Sequence, residues 1–400
     1  MLLARDQKLT QDSTKLHNRR LVLKAIYNGA TLSRADIARL TGLTRTTASS
    51  VVAELIEDGL VTELGQGPSA GGKPPTLLQV VDAARQVIGI DVARATVQGG
   101  LFDLRGRVLQ RVSAPATSGN GRPDLAQITG LIDDLVAAAD RPLVGIGAAL
   151  PGLIDPISGV IHQTGLQGWQ EFSLGGELRQ RYGLPIHMVN DSQAAALAEY
   201  TFAGHAAHSL AVVLLKRGVS AGIVLDGQVY HGASYGGASE IGHVRAVEGG
   251  ELCSCGHFGC LETVASERAL VRWAQTLYRN DAGSRLLTLA PSAAVVDFAA
   301  VLQAFQAGDP GLEQVVGQVA RYLGAAVASL VAVLNVPLVV LAGRLARLGE
   351  PFTNAIAAEM RQRLLAPLAE RVEVKVSMLG DDIIMSGAAA LLLSSEMGVV

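Results

Sequence analysis

Apolar residues recur at helical spacing near the start of the chain and then give way to short unbroken runs. Leu16, Leu21, Val22, Leu23, Ala25 and Ile26 mark a first amphipathic helix that stops near Asn28-Gly29. Ser33 is placed to cap a second helix over 34–40, and Thr41-Gly42-Leu43 supplies a turn. Thr44 then caps a third helix over 45–58, with Val51, Val52, Leu55 and Ile56 on one face. Residues 59–64 and 76–80 read as two strands around a glycine- and proline-rich tip. The pattern predicts a winged helix-turn-helix unit, with its wing and linker, over residues 1–82.

From residue 83 onward the pattern becomes α/β. Residues 87–92, 100–104, 108–109, 143–149, 185–189, 210–215 and 223–225 read as apolar strands, whereas 124–139 and 190–200 read as helices. Such alternation predicts a sheet with parallel strands flanked by helices over 83–400, receiving ligands at strand C-terminal ends. Leu323 to Gly343 is almost uncharged and about long enough to span a bilayer. Asn335-Val336-Pro337 interrupts it, so a buried helix followed by a buried strand is the expected reading. Met1 to Thr10 lacks the apolar run of an export signal, which predicts a cytoplasmic protein with no membrane partner.

The formal net charge of −3 over 400 residues excludes a globally basic nucleic-acid binder. Any DNA contact must be local. The third helix offers Arg45, Thr46, Thr47, Ser49 and Ser50, with Thr44, Ser33 and Arg34 nearby and Lys73 close to the wing tip. Small hydroxyls and guanidinium groups suit phosphates and base edges in a major groove. A helix that is merely solvated would usually carry Glu and Lys there. The competing reading is a helical bundle that docks a protein partner.

All three cysteines fall in Cys253-Ser254-Cys255-Gly256-His257-Phe258-Gly259-Cys260, and His243 precedes them in the pattern H-x9-C-x-C-x4-C. His243, Cys253, Cys255 and Cys260 can close a tetrahedral shell around a structural Zn²⁺. A closed shell leaves no place for metal-bound water, so the ion is read as a staple without catalytic duty. Gly256 and Gly259 sit where a chain wrapping an ion bends tightly. The alternative is three small buried hydrophobes beside a core histidine; disulfides fit poorly with an odd count.

Leu32-Ser33-Arg34-Ala35-Asp36-Ile37-Ala38, Thr41-Gly42-Leu43-Thr44-Arg45 and Gly71-Gly72-Lys73-Pro74-Pro75 resemble the winged-helix region of ROK-family transcriptional regulators. That family joins sugar kinases to sugar-responsive repressors. The resemblance continues through Trp169 to Gly387-Ala388-Ala389-Ala390 and implies a two-lobed, actin-like ATPase fold with a sugar cleft between the lobes.

Family kinases cradle nucleotide phosphates with Asp-x-Gly-Gly-Thr and Gly-Thr-Gly-x-Gly turns and an adenosine-side Gly-Gly-Gly. Here these read Asp91-Val92-Ala93-Arg94-Ala95, Lys216-Arg217-Gly218-Val219-Ser220 and Ala342-Gly343-Arg344. Each change adds bulk where backbone amides must approach phosphates closely. The resemblance therefore implies a core without phosphoryl transfer, in which Asp191 is only the position of an ancestral base. An active ROK sugar kinase fused to a DNA-binding head is the alternative.

The sugar end of the resemblance is better kept. Asn190, Asp191, Glu240, His243 and Glu262 match the family's sugar-contacting residues, with His243 serving both the metal and a sugar hydroxyl. Each acid also has an ordinary reading: Asp191 as a helix cap, Glu240 as a solvated loop residue, Glu262 as a first-turn residue favoured by the helix dipole. The family's Asn-Leu-x-Gly-Trp segment reads Gly165-Leu166-Gln167-Gly168-Trp169, without the Asn. The implied effector is thus a monosaccharide or sugar phosphate of open identity. The implied assembly is a homodimer or homotetramer on a palindromic operator.

Overall fold

The computed structural model describes residues 11–29, 31–68, 74–116, 124–164, 169–233, 235–238 and 240–400. Three helices, Gln11–Asn28, Arg34–Thr41 and Arg45–Glu57, open the described chain. The second begins at a capping box, in which the Asp36 amide donates to the Ser33 hydroxyl and the Ser33 amide donates to the Asp36 carboxylate. The third is capped by Thr44, which accepts from the Thr47 amide. Strands Val61–Gln66 and Thr76–Val80 pair antiparallel, and Leu32–Ser33 adds at the other edge of Thr76–Val80. This hairpin is the expected wing. Its tip, Lys73 included, lies outside the described residues.

Two five-stranded sheets follow. The first is ordered Ile186–Asn190, Leu143–Leu150, Gln86–Val92, Thr96–Phe102, Val108–Pro115, with the first three strands parallel and the rest antiparallel. The second is ordered Gln228–Val229, Val219–Leu225, Leu210–Leu215, Leu338–Ala342, Glu373–Val376. Numbered within its own lobe, each sheet has strand order 3-2-1-4-5, an antiparallel meander joined to a parallel trio. The lobes are two copies of one topology.

Helices Asp191–Phe202 and Ile383–Leu392 pack on each other and bridge the sheets. Ile383–Leu392 rides directly on first-lobe backbone: a Cβ at Gly89 would lie 2.1 Å from the Met385 carbonyl oxygen, and one at Gly147 would lie 1.9 Å from that of Ala388. Only glycine permits that approach. The apolar segment singled out from sequence is helix Pro310–Leu334, ended by Asn335 at φ 52°, then strand Leu338–Ala342. Among the described residues it is the one helix long and apolar enough to cross a membrane. Leu312, Val316, Val319, Leu323, Val327 and Val331 bury its apolar stripe in the second-lobe core.

The winged head is fastened to the first lobe. One hydrophobic cluster joins Val22 and Ile26 of the first helix to Leu392, Leu393 and Met397, which lie at the end of the bridging helix and in the π-helical turn after it. Arg105 adds a second tie: it donates to the Tyr27 carbonyl at 2.7 Å, and its guanidinium stacks 4.3 Å from the centre of the Tyr27 ring.

Candidate functional site

Strand Ile186–Asn190 ends where helix Asp191–Phe202 begins, so consecutive residues are delivered to the space between the sheets. Asn190 is 2% exposed. Its Oδ1 accepts from the Ser192 amide at 2.8 Å and the Ser192 hydroxyl at 2.7 Å, while Nδ2 donates to the Gly152 carbonyl at 2.9 Å. The helix cap is therefore Asn190, and one N–H of its amide is left for a ligand. Asp191 is buried beside it. Burial pushes its carboxyl above the usual range, against the pull of the Lys216 ammonium and of backbone amides.

Asp91 is the penultimate residue of strand Gln86–Val92 and is 3% exposed. Its Oδ2 accepts from Gln98 Nε2 at 3.2 Å and lies 3.9 Å from Lys216 Nζ, whereas Oδ1 is buried without a hydrogen-bond partner. Burial raises this carboxyl too, with Lys216 opposing and Asp191 adding to the rise.

Glu240 precedes the tight turn Ile241–His243. Its Oε2 lies 3.7 Å from His243 Nε2, and the other ring nitrogen, Nδ1, lies 3.5 Å from Cys253 Sγ. A single imidazole thus stands between the carboxylates and the thiols. Burial lifts the Glu240 carboxyl; His243 works against the rise, while Asp191 and Glu262 reinforce it. These groups share one electrostatic neighbourhood. Glu262 sits in the first turn of helix Leu261–Ala265 and accepts from Arg268 at 3.2 Å and the Ser254 hydroxyl at 3.4 Å. Its carboxylate presses on Gly218, where a Cβ would lie 2.2 Å from Oε2. Glu262 is already partnered at the rim of the cluster.

The ligand atoms of His243, Cys253, Cys255 and Cys260 lie within 4.8 Å of one another. Gly256 turns the loop at φ 90° with nothing within 4 Å of a Cβ, so backbone angle, not room, demands glycine there. Burial and the adjacent Cys255 and Cys253 push the Cys260 thiol up to about 12. Three sulfurs and one imidazole nitrogen this close form a donor set that fits a tetrahedral metal ion. His257 Nδ1 also reaches 3.6 Å from Cys255 Sγ, a neighbour that spacing alone did not single out.

The three turns expected to differ from a nucleotide cradle have distinct fates. Lys216 reaches across to Asp91. Arg344 turns toward its own lobe, donating to Glu267 at 2.9 Å with its guanidinium 5.1 Å from the centre of the Phe298 ring. Arg94 and Arg217 are exposed. A cavity of ≈ 310 Å³ remains beside Ala342, Gly343, Arg347, Ser377 and Asp381. Trp169 is buried, 5.8 Å from Phe172 between ring centres, and residues 165–168 lie outside the described residues.

On the head, Thr44, Arg45, Thr46 and Ser50 are exposed, and Thr47 and Ser49 are half-buried. The Thr44 and Thr47 hydroxyls bond each other at 2.8 Å. Arg34 pairs with Glu63 on the wing at 2.9 Å. Ser33 needs correction: it is 4% exposed and its hydroxyl serves the capping box, which removes it from any DNA-facing surface.

Residues 87–395 match the ROK family and residues 18–69 match the MarR family. The chain belongs to the ROK family. This ROK chain is 31% identical over 382 residues to the xylose repressor of Caldicellulosiruptor bescii, covering 94% of itself and 95% of that protein. The crystal structure of a ROK family transcriptional regulator, a homologue of the E. coli Mlc protein, superposes with TM-score 0.84 at 26% identity, over 96% of this chain and 98% of that one. A ROK glucokinase from Streptomyces griseus, solved with glucose and AMPPNP, superposes with TM-score 0.68 at 28% identity, over 76% and 98%. The actin-like core and the MarR-type winged helix are thus one polypeptide. Sequence reasoning missed Lys216 and Gln98 as partners of Asp91. The lysine in a turn where family kinases carry glycine was the available signal.

Proposed function

We propose that this ROK chain is a cytoplasmic, sugar-responsive transcriptional regulator, a repressor of carbohydrate genes, with a DNA-reading head over 1–82 and a ligand-binding core over 83–400. The observation that carries the reading is the union in one chain of an exposed, hydroxyl-rich recognition helix with a ROK core whose phosphate turn has gained Lys216 in contact with Asp91. Near-full-length similarity to a xylose repressor supports it.

In this reading Arg45, Thr46, Thr47, Ser49 and Ser50 meet the major groove, Thr44 and Arg34 flank it, and Lys73 reaches a phosphate or the minor groove. A monosaccharide enters between the lobes to meet Asp191, Glu240, His243 Nε2 and the remaining N–H of Asn190, with Glu262 at the rim. Buried acceptors that stay unpaired without the right hydroxyls make discrimination steep. His243, Cys253, Cys255 and Cys260 would hold Zn²⁺, which supplies a rigid anchor for the His243 ring when bound.

Sugar and DNA are coupled if each favours a different lobe arrangement. The contact between the first helix and the end of the bridging helix is the route by which lobe movement reaches the head. A dimer or tetramer would present two heads to a palindromic operator.

The test is a gel shift on the gene's own upstream region over a salt series, repeated with a panel of monosaccharides. Salt-sensitive binding altered by one sugar is expected; no binding to any upstream fragment would refute the reading. An active kinase is the second reading, favoured by Asp191 at the base position and the cavity beside Ala342 and Gly343. Radiolabel transfer from ATP across common hexoses and pentoses decides between them, with no turnover expected.

A further inference from the structure

Two buried carboxylates stand at the same end of the first sheet: Asp91 and Val189 both register with Ala149 of the strand between them, and Asp191 follows two residues after Val189. Buried carboxylates gathered at one end of a sheet lose solvation, so ionising them is costly unless a cation sits with them. Asp91 also keeps one buried oxygen, Oδ1, with no hydrogen-bond partner. In hard-oxygen chemistry such a pair is the start of a divalent-cation site.

We propose that the ammonium group of Lys216 is a built-in counter-ion that occupies this would-be divalent-cation site and ties the second lobe to the first without nucleotide. Lys216 follows strand Leu210–Leu215 of the second lobe, and its Nζ lies 3.9 Å from Asp91 Oδ2 of the first. The lysine backbone is held on both sides: its amide donates to the Gly218 carbonyl at 3.1 Å, and its carbonyl accepts from the Glu267 amide at 3.2 Å. Among the described residues no other basic side chain is ion-paired with Asp91. A side chain replaces an exchangeable ion, so folding alone supplies a counter-charge for Asp91. The inference deepens the reading of the core as nucleotide-independent, yet its test uses neither sugar nor DNA and so fails or stands separately.

The experiment uses the full chain with stoichiometric zinc and follows the melting temperature during Mn²⁺ titration, with bound Mn²⁺ counted by electron paramagnetic resonance. Wild type should bind no Mn²⁺ between the lobes, and its melting temperature should not respond. Lys216→Ala, which empties the position, should melt several degrees lower, bind one equivalent of Mn²⁺ and recover most of the loss. Lys216→Met, which fills the space without charge, should melt lower and stay there. Asp91→Asn with Lys216→Ala should recover stability without Mn²⁺ and bind none, even if Lys216→Ala alone fails to fold. Mn²⁺ binding by wild type that Asp91→Asn abolishes overturns the proposal. So does a double variant no more stable than Lys216→Ala.

Discussion

The guanidinium of Arg20, on the first helix of the winged head, donates to the backbone carbonyl of Ser395 at 2.7 Å and to that of Glu396 at 3.3 Å. Those carbonyls lie in the π-helical turn that continues the helix bridging the two sheets. Single π-helical turns occur frequently at functional sites. The same head helix sends Lys24 to the Val400 carbonyl at 3.1 Å. Beside the apolar cluster, head and core are thus joined by side-chain hydrogen bonds to backbone oxygens.

Arg20→Ala should therefore uncouple the regulator without disarming it. Operator affinity of the sugar-free protein stays within a few-fold of wild type, while the sugar-induced change in affinity falls by about tenfold, the scale of one ordinary coupling energy. Fluorescence anisotropy with and without sugar reads both. An unchanged sugar response would show that coupling runs elsewhere.

Ser33 and Arg45 should separate folding from recognition. Ser33→Ala loses the capping box and about 1 kcal/mol of stability in urea unfolding, with little effect on the folded head's affinity. Arg45→Ala should leave stability alone and weaken operator binding by about 1–3 kcal/mol. The reverse pattern would put Ser33 on the DNA after all.

His243→Ala should do two things at once. It removes a metal ligand, detected by release of zinc to a chromogenic chelator, and it removes the ring nitrogen facing Glu240, detected as loss of the sugar-induced rise in melting temperature. Loss of only one would break the proposed link between metal loop and sugar cup.

Burial lifts the Asp191 carboxyl above its ordinary 3.8 in the folded chain. The folded state then binds a proton that the unfolded state releases, so this contribution is full below about pH 4 and is lost as pH rises through the elevated native value. Asp191→Asn cannot ionise. Its melting temperature should exceed that of wild type by a margin that widens as pH rises from about 4 and levels off above the raised native value, and its response to sugar should vanish. Parallel pH profiles for the two proteins would contradict the assignment.

How much was legible beforehand depended on how far apart the partners lie. Ser33 and Thr44 could be placed as helix caps because a cap and the amide it accepts from, here those of Asp36 and Thr47, are three residues apart. Yet proximity in sequence did not reveal that the cap would consume the Ser33 hydroxyl, which had suggested a DNA contact. Asn190 shows the same competition: its amide is largely taken by Ser192 and Gly152 before any ligand arrives. The unpartnered Asp91 Oδ1 had no sequence signature at all.

By itself, the sequence determined the local things: apolar periods, helix caps, the Cys-His spacing, and the replacement of glycines in three turns. These depend on neighbours a few bonds away, so composition and order suffice. Only the tertiary structure decided that the two sheets repeat one topology, that Lys216 meets Asp91 between them, and that Arg20 grips the end of the bridging helix. Such contacts are made by groups brought together from distant parts of the chain, where burial and the pairing of charge, not sequence adjacency, select the partner.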